Sequence, residues 1–481
     1  MNYETVIGLE VHVQIKTASK LFCSCPTSFG ASPNTNICPI CAGYPGVLPV
    51  LNKKTVEAIV KTGLALNCRI NLESVFSRKQ YFYPDLPKNY QISQYEKPVA
   101  EDGILKILSS ELPKKIRVRR IHLEEDAGKL LHTIGALELD YSLVDLNRTG
   151  IPLMEIVSEP DISSPKEAYG YLSTLKNILK YLEVSDCDME KGSLRCDANI
   201  SIRPVGSQSL GNRVEIKNMN SFHGVEDAVT FEIGRQAEVL NAGQRVIQET
   251  RLWDPDRRET RVMRSKEEAH DYRYFPEPDL LPLKLESEWV EQIRATLPEL
   301  PEQKRARLAR EYQLSEYDAE VLSSSFETAQ YFETSLSYLN SSSAPKMISN
   351  WITTELSGRL NAANLSIENS PISPQALSEL VGLILDGTIS GKIAKTVFEE
   401  MWNHKKQPKQ IIQEKGLTQV SDSAEIEAWV LESISKNPKA AEEFKSGKEK
   451  AIGALVGNVM KLSKGKANPE LVNQILKKKL A

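Results

Sequence analysis

No run of about 18 consecutive apolar residues occurs in this sequence of 481 residues, so we expect no helix of it to span a membrane. The N-terminal residues also lack the basic start and apolar core of a signal peptide. We therefore expect a cytoplasmic protein whose seven cysteines are reduced thiols or metal ligands rather than disulfides. The composition, with 41% hydrophobic and 26% charged residues, is typical of a soluble globular protein.

Two common catalytic motifs are missing. The Gly-x-Ser-x-Gly elbow does not occur, and the serine run at 341–343 has no glycines before it. No cysteine lies in a plausible nucleophile setting, so the sequence predicts no amidase or glutaminase chemistry of its own. The Walker A motif is also missing, and any nucleotide site must therefore be of another kind.

Arginine is absent from residues 404–481, which contain fifteen lysines and nine acidic residues and so carry a net charge of +6. Because the whole chain has a net charge of −4, the remaining residues carry about −10. A basic C-terminal segment on an acidic body favours contact with a polyanion at that end. A solvated helical surface is the alternative, since lysine-rich helices are common.

The chain is too long for one ordinary hydrophobic core, and its patterns divide it into three segments. Strand-like alternation dominates up to about Pro282, with two clear helices that begin near Thr55 and Ser164, and short helical patterns follow. We expect an α+β protein. Its cradle domain, residues 1–285, is built on an antiparallel sheet with flanking helices, a helical domain spans 286–404, and a small helical tail spans 405–481.

The first strand has two different faces. In Thr5–Ile15 the apolar residues alternate with Glu10, His12 and Gln14. Glu10 and His12 would lie about 6–7 Å apart on one face of the strand. Such a pair can hold a divalent cation or orient a reacting group, and a simply solvated outer face is the alternative.

Three further segments also have charged residues in a strand-like pattern: Lys115–Asp126, Leu194–Arg203 and Arg213–Asn218. An antiparallel sheet that is packed on one side and open on the other explains them. Taken together, the four strands predict a polar cradle or active-site floor.

The cysteines give the sharpest metal signal. Two close pairs are separated by a turn-rich loop of twelve residues, which is the spacing of a closed tetrahedral zinc site: Cys23, Cys25, Cys38 and Cys41. Such a zinc would be structural, because four thiolates leave no open position. Four ordinary reduced cysteines are the alternative. The other three cysteines read as buried apolar residues.

Phosphate and nucleotide signals are less specific. His122–Lys129 contains three acids followed by Gly and Lys, which suits Mg²⁺ with substrate phosphates, although a charged turn would look the same. Ser77–Lys88 and Asp271–Asp279 mix basic with aromatic residues, a nucleotide or nucleic-acid signature that Tyr- and Pro-rich loops can also produce.

Read together, these motifs resemble one family, the B subunits (GatB) of heterotrimeric aspartyl/glutamyl-tRNA(Asn/Gln) amidotransferases. The resemblance extends over essentially the whole chain and excludes the large inserted domain of the archaeal relative, GatE. The segments on which it rests are Val6–Gln14, Tyr81–Lys88, His122–Lys129, Asp145–Gly150, Glu155–Asp161, Gly192–Asn199, Asp271–Asp279, Gly457–Lys461 and Lys464–Pro469.

The resemblance implies an ATP-dependent amidation of misacylated tRNA. The A subunit would release ammonia from glutamine, and this chain, assembled with the A and C subunits, would bind Glu-tRNA(Gln) or Asp-tRNA(Asn). ATP would phosphorylate the side-chain carboxylate, and ammonia would displace the phosphate to give the amide. Mg²⁺ would neutralise the phosphates, and Zn²⁺ would be structural.

The resemblance also implies which residues act. The expected catalytic and Mg²⁺-binding residues are Glu10, His12, Glu125 and Glu155. Glu124 and Glu215 are further candidates at the phosphate site. From their charge and position, and not from the resemblance, Lys79 and Arg195 could hold phosphate or the terminal adenosine.

Two other classes of function remain possible from the sequence. A tRNA-binding adaptor would use only the basic tail and the zinc site, and ATP hydrolysis that depends on acylated tRNA would exclude it. A stand-alone ligase would take free ammonia, and purification alone or with two partners would separate that case.

Overall fold

The computed structural model describes residues 2–109, 112–135, 137–265, 272–417, 423–446, 448–463 and 466–480. Asp271 of the second aromatic segment and residues 464–465 of the tail motif lie outside these ranges. The chain forms two compact units, residues 1–300 and 301–481. Within the described ranges, no helix combines the length and apolarity needed to cross a membrane.

The first unit contains, among its described residues, sixteen strands and four helices. The strands are β1 (Tyr3–Gln14), β2 (Arg69–Ile70), β3 (Glu73–Ser74), β4 (Ser77–Gln80), β5 (Tyr90–Ser93), β6 (Ala100–Ser109), β7 (Leu112–Glu125), β8 (Lys129–Ile134), β9 (Leu137–Asp145), β10 (Pro152–Ser158), β11 (Leu194–Pro204), β12 (Val214–Lys217), β13 (Glu249–Asp254), β14 (Glu259–Ser265), β15 (Phe275–Pro276) and β16 (Leu283–Lys284). The helices are α1 (Lys53–Ala65), α2 (Pro165–Tyr181), α3 (Phe222–Asn241) and α4 (Ser287–Ala295).

Nine of these strands form one sheet in the order β14-β13-β12-β11-β1-β10-β7-β6-β2. Its neighbouring strands run antiparallel, except β12 and β13, which are parallel because the chain crosses back through α3 between them. The expected α+β class with an N-terminal sheet domain and a helical C-terminal region is confirmed. The strand patterns did not indicate the single parallel pair.

Strand β1 lies in the middle of the sheet, between β11 and β10. Its residues Ile7, Leu9, Val11 and Val13 are completely buried on one face, in agreement with the predicted alternation. They belong to a large apolar cluster that also contains buried residues of α1, α2 and α3. The helices therefore cover the apolar face, and the polar residues of β1 lie on the other face.

Helix α2 begins where its capping pattern predicted. The Ser164 hydroxyl accepts a hydrogen bond from the backbone N–H of Glu167 at 3.2 Å, and Pro165 is the first helical residue. Leu175 and Leu179, on the predicted apolar side, are completely buried. The sequence thus determines both the start of this helix and the face that packs on the sheet.

Smaller sheets flank the large one, in the orders β15-β4-β5, β16-β3 and β8-β9. In the first of them Phe275 lies opposite Arg78, and the backbone N–H of Gln80 donates to the carbonyl of Tyr272. This pairing brings the two basic and aromatic segments of the sequence together on one surface.

The second unit is helical throughout its described residues. The helices are α5 (Pro301–Tyr312), α6 (Glu316–Ser323), α7 (Phe326–Ser337), α8 (Ala344–Asn350), α9 (Ser357–Ala362), α10 (Pro374–Leu385), α11 (Gly391–His404), α12 (Pro408–Lys415), α13 (Ser423–Lys436), α14 (Pro438–Lys445), α15 (Ile452–Leu462) and α16 (Pro469–Leu480). Shorter turns are a π-helical turn at Trp351–Leu356 and 3₁₀ turns at Ile367–Asn369 and Glu449–Ala451.

These helices pack around two apolar clusters. One lies between Leu308 and Ile412 and includes Ile411 and Ile412 of α12, and the other lies between Ile426 and Leu480. The C-terminal helices thus have a small core of their own. The division into three domains with boundaries at 285 and 404 stays a prediction.

Candidate active site and metal centre

A row of polar side chains crosses the open face of the large sheet. Arg195 on β11 lies opposite His12 on β1, and His12 lies opposite Glu155 on β10. Glu155 in turn lies opposite His122 on β7. Because residues that are directly opposite in neighbouring strands share a face, four different strands supply this row.

The centre of the row is a compact group of carboxylates and imidazoles. The Glu155 Oε2 atom lies 3.5 Å from Nε2 of His12 and 3.3 Å from Nε2 of His122. Glu124, two residues after His122, lies 3.8 Å from each ring through its two oxygens. One ligand atom each from His12, Glu124 and Glu155 lies within 4.8 Å of the others, which is a geometry that could hold a metal ion.

The charges in this group stabilise one another. Burial favours the neutral form of His122, but Glu155 and Glu124 raise its pKa to about 9. Burial also favours the neutral form of Glu155, yet the two imidazoles keep its pKa well below the usual range. Near neutral pH the charged imidazolium of His122 therefore alternates with the carboxylates of Glu124 and Glu155, which also raise the pKa of His12 against the effect of burial.

Glu10 lies beside this group rather than within it. It precedes His12 by two residues on the same face, and Asn199 Nδ2 donates to its Oε1 atom at 2.9 Å. Burial raises the pKa of Glu10, and the neighbouring carboxylates of Glu155 and Glu215 raise it further. A carboxylate in this position favours the approach of a cation.

Glu215 lies toward the β12 end of the same polar face. Its carboxylate is 3.0 Å from Lys217 Nζ and accepts a hydrogen bond from the Thr250 hydroxyl at 2.8 Å. Lys217 also contacts Asp197 on β11. The structure therefore does not bring Glu215 to the group around Glu155.

Glu125 points to the other side of β7. It follows Glu124 directly, and successive residues of a strand project to opposite faces. Its carboxylate contacts Lys88 Nζ and accepts the backbone N–H of Ile92 at 3.1 Å. Glu125 and Lys88 line a separate cavity of about 220 Å³. The structure therefore does not bring Glu125 together with His12 and Glu155.

Arg195 is fixed at the edge of the row by Asp126. Its Nη2 atom lies 2.8 Å from Asp126 Oδ2, which also accepts from Gln14 Nε2 at 2.8 Å. Burial would raise the pKa of Asp126, but Arg195 and Arg148 lower it. The guanidinium is thus held over the polar face by a charged and hydrogen-bonded carboxylate.

Lys79 connects this face with a surface of aromatic rings. Its Nζ atom lies 5.1 Å from the ring centre of Tyr272, and the rings of Tyr95 and Tyr274 stack at 4.3 Å with an interplanar angle of 8°. Burial disfavours the charge on Lys79, but Glu124 and other nearby groups raise its pKa. Tyr95 is 46% exposed, so one ring of the stack is open to a planar ligand.

The four predicted zinc ligands come together in the loop after β1. The sulfurs of Cys25 and Cys41 are 4.0 Å apart, those of Cys38 and Cys41 are 3.9 Å apart, and all four, with Cys23, lie within 4.8 Å of one another. Sulfurs that share one Zn²⁺ at about 2.3 Å lie about 3.8 Å apart. The donor set and its spacing therefore fit a tetrahedral zinc ion.

Two residues of the site were not singled out from the sequence. His122 and Asp126 both lie in the acidic segment that begins at His122, and both have the same parity as Glu124. Because residues two apart in a strand project to the same face, the alternation of β7 could have placed His122, Glu124 and Asp126 on the face of His12.

Known proteins are similar to the chain along its whole length. A family model described as the GatB/GatE catalytic domain matches residues 5–291, and one described as the GatB domain matches residues 330–480. Relatives from Carboxydothermus hydrogenoformans and Thermoanaerobacter pseudethanolicus are each 55% identical, over 480 and 482 residues. The matches cover 100% of this chain and 99% and 100% of those proteins. A relative from Persephonella marina is 54% identical over 480 residues, 100% of both chains. Each relative is named as the B subunit of an aspartyl/glutamyl-tRNA(Asn/Gln) amidotransferase, which confirms the resemblance carried by the motifs.

In metal-free protein we expect His122 to titrate near pH 9, because its carboxylate neighbours stabilise the imidazolium. The pKa of His122 in the folded protein lies above the ordinary histidine pKa of about 6.5. These ionic interactions therefore stabilise the fold fully below about pH 6.5, and their contribution is lost as the pH rises through 9. Glu155→Gln should lower the pKa of His122 toward or below 6.5. NMR of protein with ¹³C-labelled histidine measures both values.

The exposed His132 provides an internal reference, whose resonance should not differ between wild type and variant. A wild-type His122 that titrates at or below 6.5 would contradict the ionic alternation described above.

Proposed function

Because the chain belongs to the family of aspartyl/glutamyl-tRNA(Asn/Gln) amidotransferase B subunits, we propose that it forms the side-chain amide on misacylated tRNA. The products are Asn-tRNA(Asn) and Gln-tRNA(Gln). The enzyme of this family is a glutamine-hydrolysing carbon–nitrogen ligase. The A and C subunits of the heterotrimer and the two misacylated tRNAs are the proposed partners, and the cytoplasmic location stays a prediction.

The observation that carries this proposal is the group formed by the half-buried His12 and the buried Glu124 and Glu155 on the open face of the sheet. A carboxylate oxygen is a poor leaving group, so ammonia cannot displace it directly. In the proposed reaction the carboxylate takes the γ-phosphate of ATP and ADP leaves. Ammonia then attacks the acyl carbon, phosphate departs, and the nitrogen loses a proton. Both steps gather negative charge on phosphate oxygens, which the site must neutralise.

We assign the binding of Mg²⁺ to Glu124, Glu155 and His12. Mg²⁺ takes one or two carboxylates together with phosphate oxygens and water, and this group supplies two carboxylates and an imidazole. When bound, the ion neutralises phosphate charge and polarises the P–O bonds. His122 lies 3.3 Å from the same Oε2 atom of Glu155 that His12 approaches, and it helps to orient that carboxylate.

We assign anion binding to Lys79 and Arg195. The Nζ atom of Lys79 lies over the ring of Tyr272, and Glu124, Tyr274 and Glu155 favour its charged form, which suits the binding of a phosphate. The adjacent stack of Tyr95 and Tyr274 is a suitable surface for the terminal adenine of tRNA. The aminoacyl ester would then lie between the aromatic surface and the carboxylates of the sheet.

The roles expected for Glu10, Glu125 and Glu215 stay predictions. Glu10 is close enough to the group to contribute charge, whereas Glu215 is engaged by Lys217 and Thr250. A direct role of Glu125 at the phosphate would require it to leave Lys88.

We further propose that Cys23, Cys25, Cys38 and Cys41 hold one structural Zn²⁺. Protein purified without added metal should contain about one equivalent by elemental analysis, because a closed four-thiolate site releases its ion slowly. Absence of zinc together with four freely titrating thiols would sink this assignment.

His12→Ala should reduce amide formation by about 100-fold or more, because it removes a ligand at the phosphorylation site. Glutamine hydrolysis should be unchanged, since the glutaminase active site lies on another chain. Both activities are measured on the complete heterotrimer. His132→Ala, at an exposed histidine, is the matched control and should keep both.

The same assay separates Glu124 from Glu125. Replacing a direct Mg²⁺ ligand by Gln raises the Mg²⁺ concentration needed for half-maximal rate, and we expect this for Glu124→Gln. If Glu125→Gln shows that shift and Glu124→Gln does not, the assignment of the metal group is wrong.

The C-terminal helices should bind tRNA through its phosphates, since lysine acts there as a point charge. Truncation after Leu417 leaves the core that contains Ile411 and Ile412 intact. It should weaken tRNA binding and flatten its salt dependence, while zinc content and glutamine hydrolysis persist.

Substitution of the exposed Lys477 and Lys478 by Gln gives a milder test, in which the removal of each phosphate contact lowers the salt slope by about one. Equal affinities and slopes for intact, substituted and truncated complexes would mean that these helices are a structural cap.

A further inference from the structure

Among the lysines of the described residues, only Lys20 is buried, with 1% of its surface exposed. An ammonium in a protein interior is costly unless it has hydrogen-bond acceptors and a negative charge nearby. Its place in the sequence, three residues before the first zinc ligand Cys23, gave no sign of this burial.

The Lys20 ammonium has three hydrogen-bond acceptors among the described residues. Its Nζ atom donates to the backbone carbonyl of Asn36 at 2.7 Å, to the backbone carbonyl of Leu146 at 3.5 Å and to the sulfur of Cys41 at 3.6 Å. The two carbonyls satisfy donors but carry no charge. Among the hydrogen-bond acceptors of this ammonium in the described residues, only the sulfur of Cys41 can carry a negative charge. The sulfur of Cys41 is therefore its anionic partner.

We propose that Lys20 is the counter-charge of the zinc site and positions Cys41 as a zinc ligand. Four thiolates around Zn²⁺ leave a formal charge of −2, which a buried site must offset. The Lys20 ammonium halves that charge and orients the sulfur through a hydrogen bond. The inference rests on the proposed zinc ion, and it assigns a role to a residue outside the four ligands.

The same side chain ties the metal loop to the chain that borders the candidate active site. Next to it the backbone N–H of Leu21 donates to the carbonyl of Gly150 at 2.9 Å. The backbone N–H of Gly150 donates to the carbonyl of Asp126 at 2.9 Å, and Asp126 holds Arg195. Lys20, through the Leu146 carbonyl, and Leu21 thus join the zinc loop to the segment before β10, which is hydrogen-bonded to the end of β7.

The test compares zinc affinities in the full chain by competition with a chromophoric chelator. Lys20→Met keeps the length of the side chain and removes the charge, and it should weaken zinc binding by about 10–100-fold. Lys20→Gln, which keeps polar hydrogens for the two carbonyls, should weaken it as well. Lys16→Met, at an exposed lysine of the same segment, is the control and should bind zinc as the wild type does.

A second measurement reports on the sulfurs directly. With ¹¹³Cd²⁺ in place of zinc, the resonance of the four-thiolate site should shift in Lys20→Met and not in Lys16→Met, because a hydrogen bond to one sulfur is removed. A general loss of stability would not move this resonance.

The outcomes separate the two proposals. If the wild type binds no zinc or cadmium, the zinc site itself is wrong. If the wild type binds and Lys20→Met shows the same affinity and the same ¹¹³Cd resonance, the role of Lys20 is overturned and the zinc site stands. Failure of both Lys20 variants to fold at saturating zinc would also overturn it, since the lysine would then serve the fold and not the metal.

Discussion

The antiparallel register of β1 with its two neighbours is the constraint on which the candidate site depends. It places His12 opposite Glu155 on one side and opposite Arg195 on the other. A slip of one residue would send every side chain of β1 to the other face of the sheet. Leu9 and Val11 prevent this, because it would bring them out of the core into water. The apolar core on one face of the sheet therefore determines which polar residues lie together on the other face.

The charged groups at the centre of the candidate site suit the binding of a cation more than they stabilise the fold. Buried charges rarely stabilise a protein more than apolar residues of the same size would. Here Glu155 and Glu124 are buried and lie within 4 Å of two imidazoles, the buried His122 and the half-buried His12, on a hydrogen-bonded sheet. Such an arrangement is tolerated because opposite charges alternate, and it presents preorganised ligands that need little rearrangement when a cation arrives.

Local patterns predicted more of this molecule than long-range pairing did. The alternation of β1, the cap of α2 and the convergence of the cysteine thiols follow from residues that are close in sequence or paired by spacing. The alternation of β7 also separates the face of Glu124 from that of Glu125, but the partner of each carboxylate lies far along the chain. The contact of His122 with Glu155 and the parallel pairing of β12 with β13 depend on partners far along the chain, which a single sequence does not reveal.

The carboxylates of Glu155 and Glu124 lie on strands that are hydrogen-bonded on both sides, β10 between β1 and β7, and β7 between β10 and β6. These strands therefore cannot move their carboxylates toward a substrate with a shorter side chain. Aspartyl and glutamyl side chains differ by one methylene, so both can meet the same ligands only if their ester ends are held at different distances. Selection between the aspartyl and glutamyl substrates would then depend on the residues that bind the end of the tRNA. The carboxylates of the sheet would keep a fixed position, to which the bound end of the tRNA would have to adjust.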